Sequence, residues 1–163
     1  MKRRYNSKEY IEKIKFIKKI IPNACIGADI MVGFPGEKLY DYNLTKSLIL
    51  ENKISYLHVF SYSDRDGTES AKMTKKISSK TKFERSNELR YISDIKKNDF
   101  YTSCLGSVDS ILVEKFKKNY FEGFTSNYIK VKSKINSINL GDIVKIKLDS
   151  IEDDYMIGKQ FFN

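Results

Sequence analysis

Two short apolar runs separated by one helical stretch constrain the first half of this chain more than any other feature. Cys25-Ile26-Gly27-Ala28-Asp29-Ile30-Met31-Val32-Gly33 is nearly all apolar and does not alternate, which predicts a strand buried on both faces of a parallel sheet. Ile54 to Ser61 predicts a second strand, and between the two Tyr40, Leu44 and Leu48 recur at helical spacing from Leu39 to Glu51. Strands joined through a helix run parallel, with a right-handed crossover. Asn6 and Glu9 have the spacing of a capping box, and Tyr10, Ile14, Ile17 and Ile21 continue a helix until Pro22 stops it. A further helix is predicted from about Lys80 to Tyr101. Helix–strand–helix–strand–helix is the grammar of a parallel α/β unit. Two parallel strands leave both edges unpaired and expose more apolar face than three helices cover. This half is therefore expected to be the tail of a larger α/β domain.

From about Ser103 helical spacing gives way to short alternating segments at Ile111–Val113, Asn127–Lys132, Ile143–Ile151 and Tyr155–Phe162. They are punctuated by Gly106, Gly123, Gly141 and Gly158. The pattern predicts a small antiparallel barrel or sandwich over residues 103–163, after an α/β part over 1–102. Period two turns Ile129, Val131, Val144, Ile146 and Leu148 inward and Lys130, Lys132, Lys145 and Lys147 outward. Lys115, Lys117, Lys118 and Lys134 lie nearby, with Tyr120, Phe124 and Tyr128 as aromatics. A basic barrel face with aromatics suits an RNA backbone and its bases. An ordinary solvated face is the alternative, and Glu152-Asp153-Asp154 shows that not every face is basic.

Composition narrows the function classes. With 163 residues the chain is too short for a complete (β/α)₈ barrel of roughly 250. Its net charge of +9 points to a polyanionic partner, nucleic acid first, although AT-rich coding also favours lysine and isoleucine. Two cysteines, Cys25 and Cys104, make neither a disulfide framework nor a metal cluster by themselves, and the single histidine argues against His-led sites. No apolar run approaches the ~18 residues of a membrane span, and the basic N-terminus lacks the apolar stretch of a secretory signal. A reducing cytoplasm is expected.

In parallel α/β folds ligands bind at the C-terminal strand ends, and two loops occupy that place. Val32-Gly33-Phe34-Pro35-Gly36-Glu37 either lets backbone approach a ligand or is a tight turn. Ser61-Tyr62-Ser63-Asp64-Arg65-Asp66-Gly67-Thr68 gathers hydroxyls and one guanidinium, suited to an anionic group, unless Arg65 pairs with Asp64 or Asp66. His58 reads more simply as a satisfied core residue than as a catalyst. Asp29, inside an apolar strand, is expected to be buried and to meet a partner.

These residues resemble one family, the radical S-adenosylmethionine methylthiotransferases. Met1-Lys2-Arg3-Arg4-Tyr5 looks like the family's segment after its fourth barrel strand. Asp29-Ile30-Met31-Val32-Gly33-Phe34-Pro35-Gly36-Glu37 resembles the fifth-strand signature, and Leu57-His58-Val59-Phe60-Ser61-Tyr62-Ser63 with Arg65, Gly67-Thr68 and Ala71 the sixth strand and its loop. The remainder looks like a TRAM domain, a small RNA-binding β-barrel. Gly123-Phe124-Thr125-Ser126-Asn127-Tyr128-Ile129 and the Leu57–Ser63 segment look most like the branch that acts on threonylcarbamoyladenosine beside the tRNA anticodon. Sibling branches act on isopentenyladenosine and on a ribosomal protein.

The resemblance implies the C-terminal part of a (β/α) radical enzyme followed by a TRAM barrel, with S-adenosylmethionine and two 4Fe–4S clusters in the complete enzyme. It implies reductive cleavage of S-adenosylmethionine, hydrogen abstraction from adenine and sulfur insertion. It assigns the cofactor wall to Arg3, Val32, Gly33, Phe34, Phe60, Ser61 and Arg65. The alternation and charge of the barrel segments, read from the residues themselves, put the RNA grip on Lys115, Lys117, Lys118, Lys130, Lys132, Lys145 and Lys147. The family's Cys-x-x-x-Cys-x-x-Cys loop is not in this sequence. The chain alone is therefore expected to be inactive and to hold no metal, with a separately encoded N-terminal half as a possible partner. A non-catalytic RNA-binding remnant is the competing expectation.

Overall fold

A computed structural model describes residues 4–134 and 138–161. The chain forms two compact units that divide between Lys97 and Asn98. The mixed α/β first unit contains α1 (Ser7–Ile20), β1 (Gly27–Val32), α2 (Leu39–Glu51), β2 (Tyr56–Ser61), a 3₁₀ turn at Glu69–Lys72 and most of α3 (Ser79–Ser103). The second contains β3 (Val108–Lys117), β4 (Tyr120–Thr125), β5 (Lys130–Lys134), β6 (Ile143–Glu152) and β7 (Tyr155–Gln160).

The expected capping box starts α1. Asn6 Oδ1 accepts the Glu9 N–H at 3.0 Å, and Glu9 Oε2 accepts the Asn6 N–H at 3.3 Å. β1 and β2 pair in parallel, with Asp29 opposite His58 and Met31 opposite Phe60. One face of this sheet packs Ala28, Val32 and Leu57 against Ile14 of α1, Tyr42 and Ile49 of α2, and Leu89 and Ile92 of α3. All three helices contribute to that one core.

The opposite face corrects three expectations. β1 is not buried on both faces: Gly27, Asp29 and Met31 are exposed between buried or half-buried neighbours. Asp29 is therefore not a buried carboxylate. His58 is exposed rather than a core residue, with its ring edge-to-face on Tyr56 at 5.1 Å. The physical reason is shared: among the described residues the helices pack on the other face of the sheet, and no layer covers this one. The α2 stripe is shifted as well. Tyr42 and Ile49 are buried, whereas Tyr40 and Leu44 are 69% and 53% exposed. On α1, Ile14 is buried while Ile17 and Ile21 are largely exposed.

The two edges of the small sheet differ. On β2, the Ser93 hydroxyl accepts the Leu57 N–H at 2.8 Å and donates to the Leu57 carbonyl at 3.3 Å, so a helix side chain occupies that edge. On β1, no strand among the described residues pairs with the outer edge. A hollow of about 500 Å³ is lined by residues of both strands and of α1 and α2, including Tyr10, Asp29, Leu48, Tyr56 and His58.

The second unit is a closed barrel of order β3-β4-β5-β7-β6, antiparallel except for the parallel β5–β7 pair. It is a five-stranded barrel of the kind seen in OB folds. Its interior is made by Ile111, Val113, Phe121, Ile129, Val131, Ile146, Leu148 and Met156, all at most 1% exposed. Gly158 permits this closure: a Cβ there would stand 2.1 Å from Ile146 Cγ2 and 2.9 Å from Val131 Cγ1. β4 was not among the expected segments. The segment expected from Asn127 is strand only from Lys130, because residues 126–127 form the hairpin turn.

Candidate cofactor cleft and nucleic-acid interface

The C-terminal ends of β1 and β2 open into a cleft of about 580 Å³ lined by Met31, Phe34, Phe60, Ser61, Tyr62, Ser63, Arg65, Thr68 and Ser70. Its first wall is the β1–α2 loop. Gly33 adopts φ +75°, and its N–H donates to Glu37 Oε2 at 2.7 Å. Glu37 is ion-paired with Arg85 of α3, both side chains being largely buried. A Cβ on Gly33 would collide with the Lys82 side chain at 2.2 Å, so this turn requires glycine for backbone and for space. Phe34 then stands edge-to-face on Tyr62, ring centroids 5.3 Å apart.

The second wall is the loop after β2. Lys76 pairs with Asp64 and donates to the Ser70 and Ala71 carbonyls at 3.2 and 2.9 Å, tying the loop's start to its 3₁₀ turn. The Tyr62 hydroxyl donates to Asp64 at 3.0 Å. The Lys76 bond, then the Tyr62 bond, hold the Asp64 carboxyl below the ordinary carboxylate range. With Asp64 so engaged, the Arg65 guanidinium has no carboxylate partner among the described residues. Three aromatic rings, several hydroxyls and a guanidinium without a carboxylate partner among the described residues suit a ligand with a flat ring and an anionic group.

Of the residues expected at this wall, Phe34, Phe60, Ser61 and Arg65 line one cleft. Val32 and Gly33 build it without lining it: Val32 is 1% exposed with its carbonyl accepting the Tyr62 N–H at 2.8 Å, and the Gly33 N–H is taken by Glu37. Arg3 lies outside the described residues. Sequence reasoning missed Met31, Ser70 and the two braces, Glu37–Arg85 and Asp64–Lys76.

On the barrel, the expected lysines divide into three groups. Lys130 and Lys132 project from β5, with the Lys132 ammonium 3.8 Å from the Tyr155 ring centroid and 5.4 Å from that of Tyr120. Lys115 on β3 lies opposite Glu122 of β4, and Lys117 and Lys118 adjoin the β3–β4 turn. Lys145 and Lys147 project from β6, which β7 separates from β5 on one side and β3 and β4 on the other. None of the seven is in an ion pair among the described residues.

The barrel is also less basic than its lysines suggest. Residues 98–163 carry nine lysines, no arginine and nine acidic residues, so the net excess of +9 resides in residues 1–97. That division is legible in the sequence, but the total conceals it. Among the described residues, no group of three histidine, cysteine or acidic side chains is placed to hold a metal ion, and no helix is long and apolar enough to cross a membrane.

No family model matches the chain. Individual proteins do match. A threonylcarbamoyladenosine tRNA methylthiotransferase of Bacillus subtilis is 35% identical over 153 residues, covering 91% of this chain and 34% of the relative. The protein of the same name from Rickettsia prowazekii is 36% identical, over 96% of this chain and 36% of its own length. A tRNA-2-methylthio-N(6)-dimethylallyladenosine synthase of Clostridium botulinum is 32% identical, over 98% and 36%. This chain thus spans about a third of the length of the curated relatives it matches. Identity of 32–36% along nearly the whole chain means that it belongs to the methylthiotransferase family, with relatives named for threonylcarbamoyladenosine and for dimethylallyladenosine both among its matches.

Proposed function

We propose that this chain supplies the C-terminal portion of a tRNA methylthiotransferase that adds a methylthio group to threonylcarbamoyladenosine next to the anticodon. In that reading the first unit is the end of a radical S-adenosylmethionine barrel and the second a TRAM barrel. The convergence of Phe34, Phe60, Ser61 and Arg65 on one cleft at the strand ends carries the reading. The β2 edge occupied by Ser93 and the unpaired β1 edge fit the last two strands of a longer parallel sheet. S-adenosylmethionine fits the cleft chemically: the aromatic rings would flank adenine, while Arg65 would hold the carboxylate or ribose with the hydroxyls. In the complete enzyme the cofactor supplies the radical chemistry; these residues bind and orient it. Iron–sulfur clusters do not fit this chain's own residues, because clusters take about four thiolates and only Cys25 and Cys104 are present. Their ligands would come from the rest of the enzyme, in the same polypeptide or a separately encoded half.

The barrel would hold the tRNA anticodon stem-loop. In OB-type barrels the face of the second and third strands binds oligonucleotides, and here those are β4 and β5, which carry Tyr120, Lys130 and Lys132. A tRNA substrate places the work in the cytoplasm. The test is nucleoside analysis of tRNA from cells with and without the gene. Loss of methylthio-threonylcarbamoyladenosine on deletion is the expected result. Loss of the isopentenyladenosine derivative instead would move the chain to the sibling branch, and loss of neither would leave a non-catalytic RNA-binding remnant.

A further inference from the structure

The β4–β5 hairpin tip is built more tightly than a passive turn requires. The Thr125 N–H donates to the Ile129 carbonyl at 3.0 Å and the Tyr128 N–H to the Thr125 carbonyl at 3.0 Å. The Thr125 hydroxyl accepts the Ile129 N–H at 2.9 Å and donates to Asn127 Oδ1 at 2.6 Å. This closed tip holds Tyr128 at φ +64°, the left-handed region that glycine and asparagine occupy most readily. At 78% exposure Tyr128 is the most solvent-exposed large apolar side chain among the described residues. Its ring leans on Phe124, centroids 6.1 Å apart. Neither backbone preference nor burial favours tyrosine at this position.

We propose that Tyr128 is a nucleobase-stacking residue, which the hairpin tip presents to one unpaired base of an RNA loop. The inference rests on the reading of the barrel as an RNA grip. An exposed aromatic face two residues from Lys130 combines the two elements of single-strand recognition, a stacking platform and a nearby cation. A paired helix keeps its bases stacked, so this residue distinguishes loop from duplex. Because the barrel unit carries no net charge, stacking sets its preference for single strands while lysines such as Lys130 and Lys132 set the salt dependence.

The chain contains no tryptophan, so Tyr128→Trp introduces a single fluorophore at the tip. Titration with an RNA hairpin bearing an unpaired loop should quench its emission, and a fully paired duplex of equal length should not. Tyr128→Phe should bind the hairpin as the native chain does. Tyr128→Ala should bind it roughly 5- to 150-fold more weakly, with an unchanged salt slope and unchanged duplex affinity. Tyr128→Gly should melt at or above the native temperature, since glycine accepts this φ without strain. A lower melting temperature for Tyr128→Gly would make the ring a structural support and overturn the inference. Hairpin binding that Tyr128→Ala leaves intact, with no quenching of Tyr128→Trp, would also overturn it while sparing the RNA grip. Absence of RNA binding by the native chain would overturn the grip itself.

Discussion

In the barrel every strand has two neighbours, whereas in the α/β unit each strand has one. The difference shows in what each unit leaves in water. The barrel centres on a fully buried Phe121, while the open sheet leaves Met31 and Phe60 at 37% and 52% exposure on a face without a covering layer. Charge divides along the same line, with the barrel neutral and the α/β unit carrying the whole excess of +9. Closure and charge therefore separate in this molecule: the closed unit has the material for independent folding, and the open unit has the surface that a longer parallel sheet would use.

The largest expected effect tests that contrast. Phe121→Ala empties the centre of the barrel and should cost about 3–5 kcal/mol. Phe60→Ala, on the open face, should change stability by no more than about 0.5 kcal/mol. Denaturant unfolding of both variants decides it, and comparable losses would mean that Phe60 is packed in solution. Next in size is the brace under the cleft. Arg85→Ala leaves a largely buried Glu37 carboxylate uncompensated and should destabilise the α/β unit by about 3 kcal/mol. Adding Glu37→Gln should recover part of the loss, as followed by helix ellipticity. Gly158→Ala drives a methyl into Ile146 and Val131 and should cost about 1–3 kcal/mol in the barrel, leaving the α/β unit unaffected. Hydrogen exchange resolves the two units in one experiment.

The smallest effect is acid dependence. Glu88 accepts bonds from Lys46 at 2.8 Å and from the Tyr42 hydroxyl at 2.6 Å, and these hold its carboxyl below the ordinary range. Burial, with the Glu88 bond second, pushes the Tyr42 hydroxyl well up. A lowered folded-state value means that the Glu88 contribution is present above about pH 4.3 and is lost as pH falls through the lowered value. Glu88 is partly exposed, so screening limits the effect to below about 1 kcal/mol. Melting temperatures from pH 7 to pH 3 should fall less steeply for Glu88→Gln than for the native chain.

Local signals were legible, and signals that depend on distant neighbours were not. The Asn6–Glu9 capping box is read from four residues, and the structure forms it because its hydrogen bonds are local. The inward set Ile129, Val131, Ile146 and Leu148 was legible because strand alternation fixes it. β4 was hidden because its inward positions are Phe121, Gly123 and Thr125, only one of them strongly apolar. The one-sided burial of β1 was not legible, since Ile30 and Met31 are equally apolar and only the absent layer distinguishes them. In the cleft, Phe60 and Arg65 followed from strand-end position. The Arg85 brace, 48 residues from Glu37, left no local trace.

The most direct measurement is titration of the full chain against an anticodon stem-loop at two salt concentrations, comparing charge reversals. Lys130→Glu with Lys132→Glu removes the β5 strip, Lys145→Glu with Lys147→Glu the β6 strip, and Lys13→Glu with Lys19→Glu two exposed cations of α1. If β4–β5 is the RNA grip, the β5 pair should weaken binding most and lower the salt slope by roughly 0.7–0.9 for each phosphate no longer neutralised. The β6 pair should do less and the α1 pair least, although α1 belongs to the unit with the net positive charge. Equal losses from all three pairs would show that diffuse charge binds the RNA, and would contradict a dedicated site on the barrel.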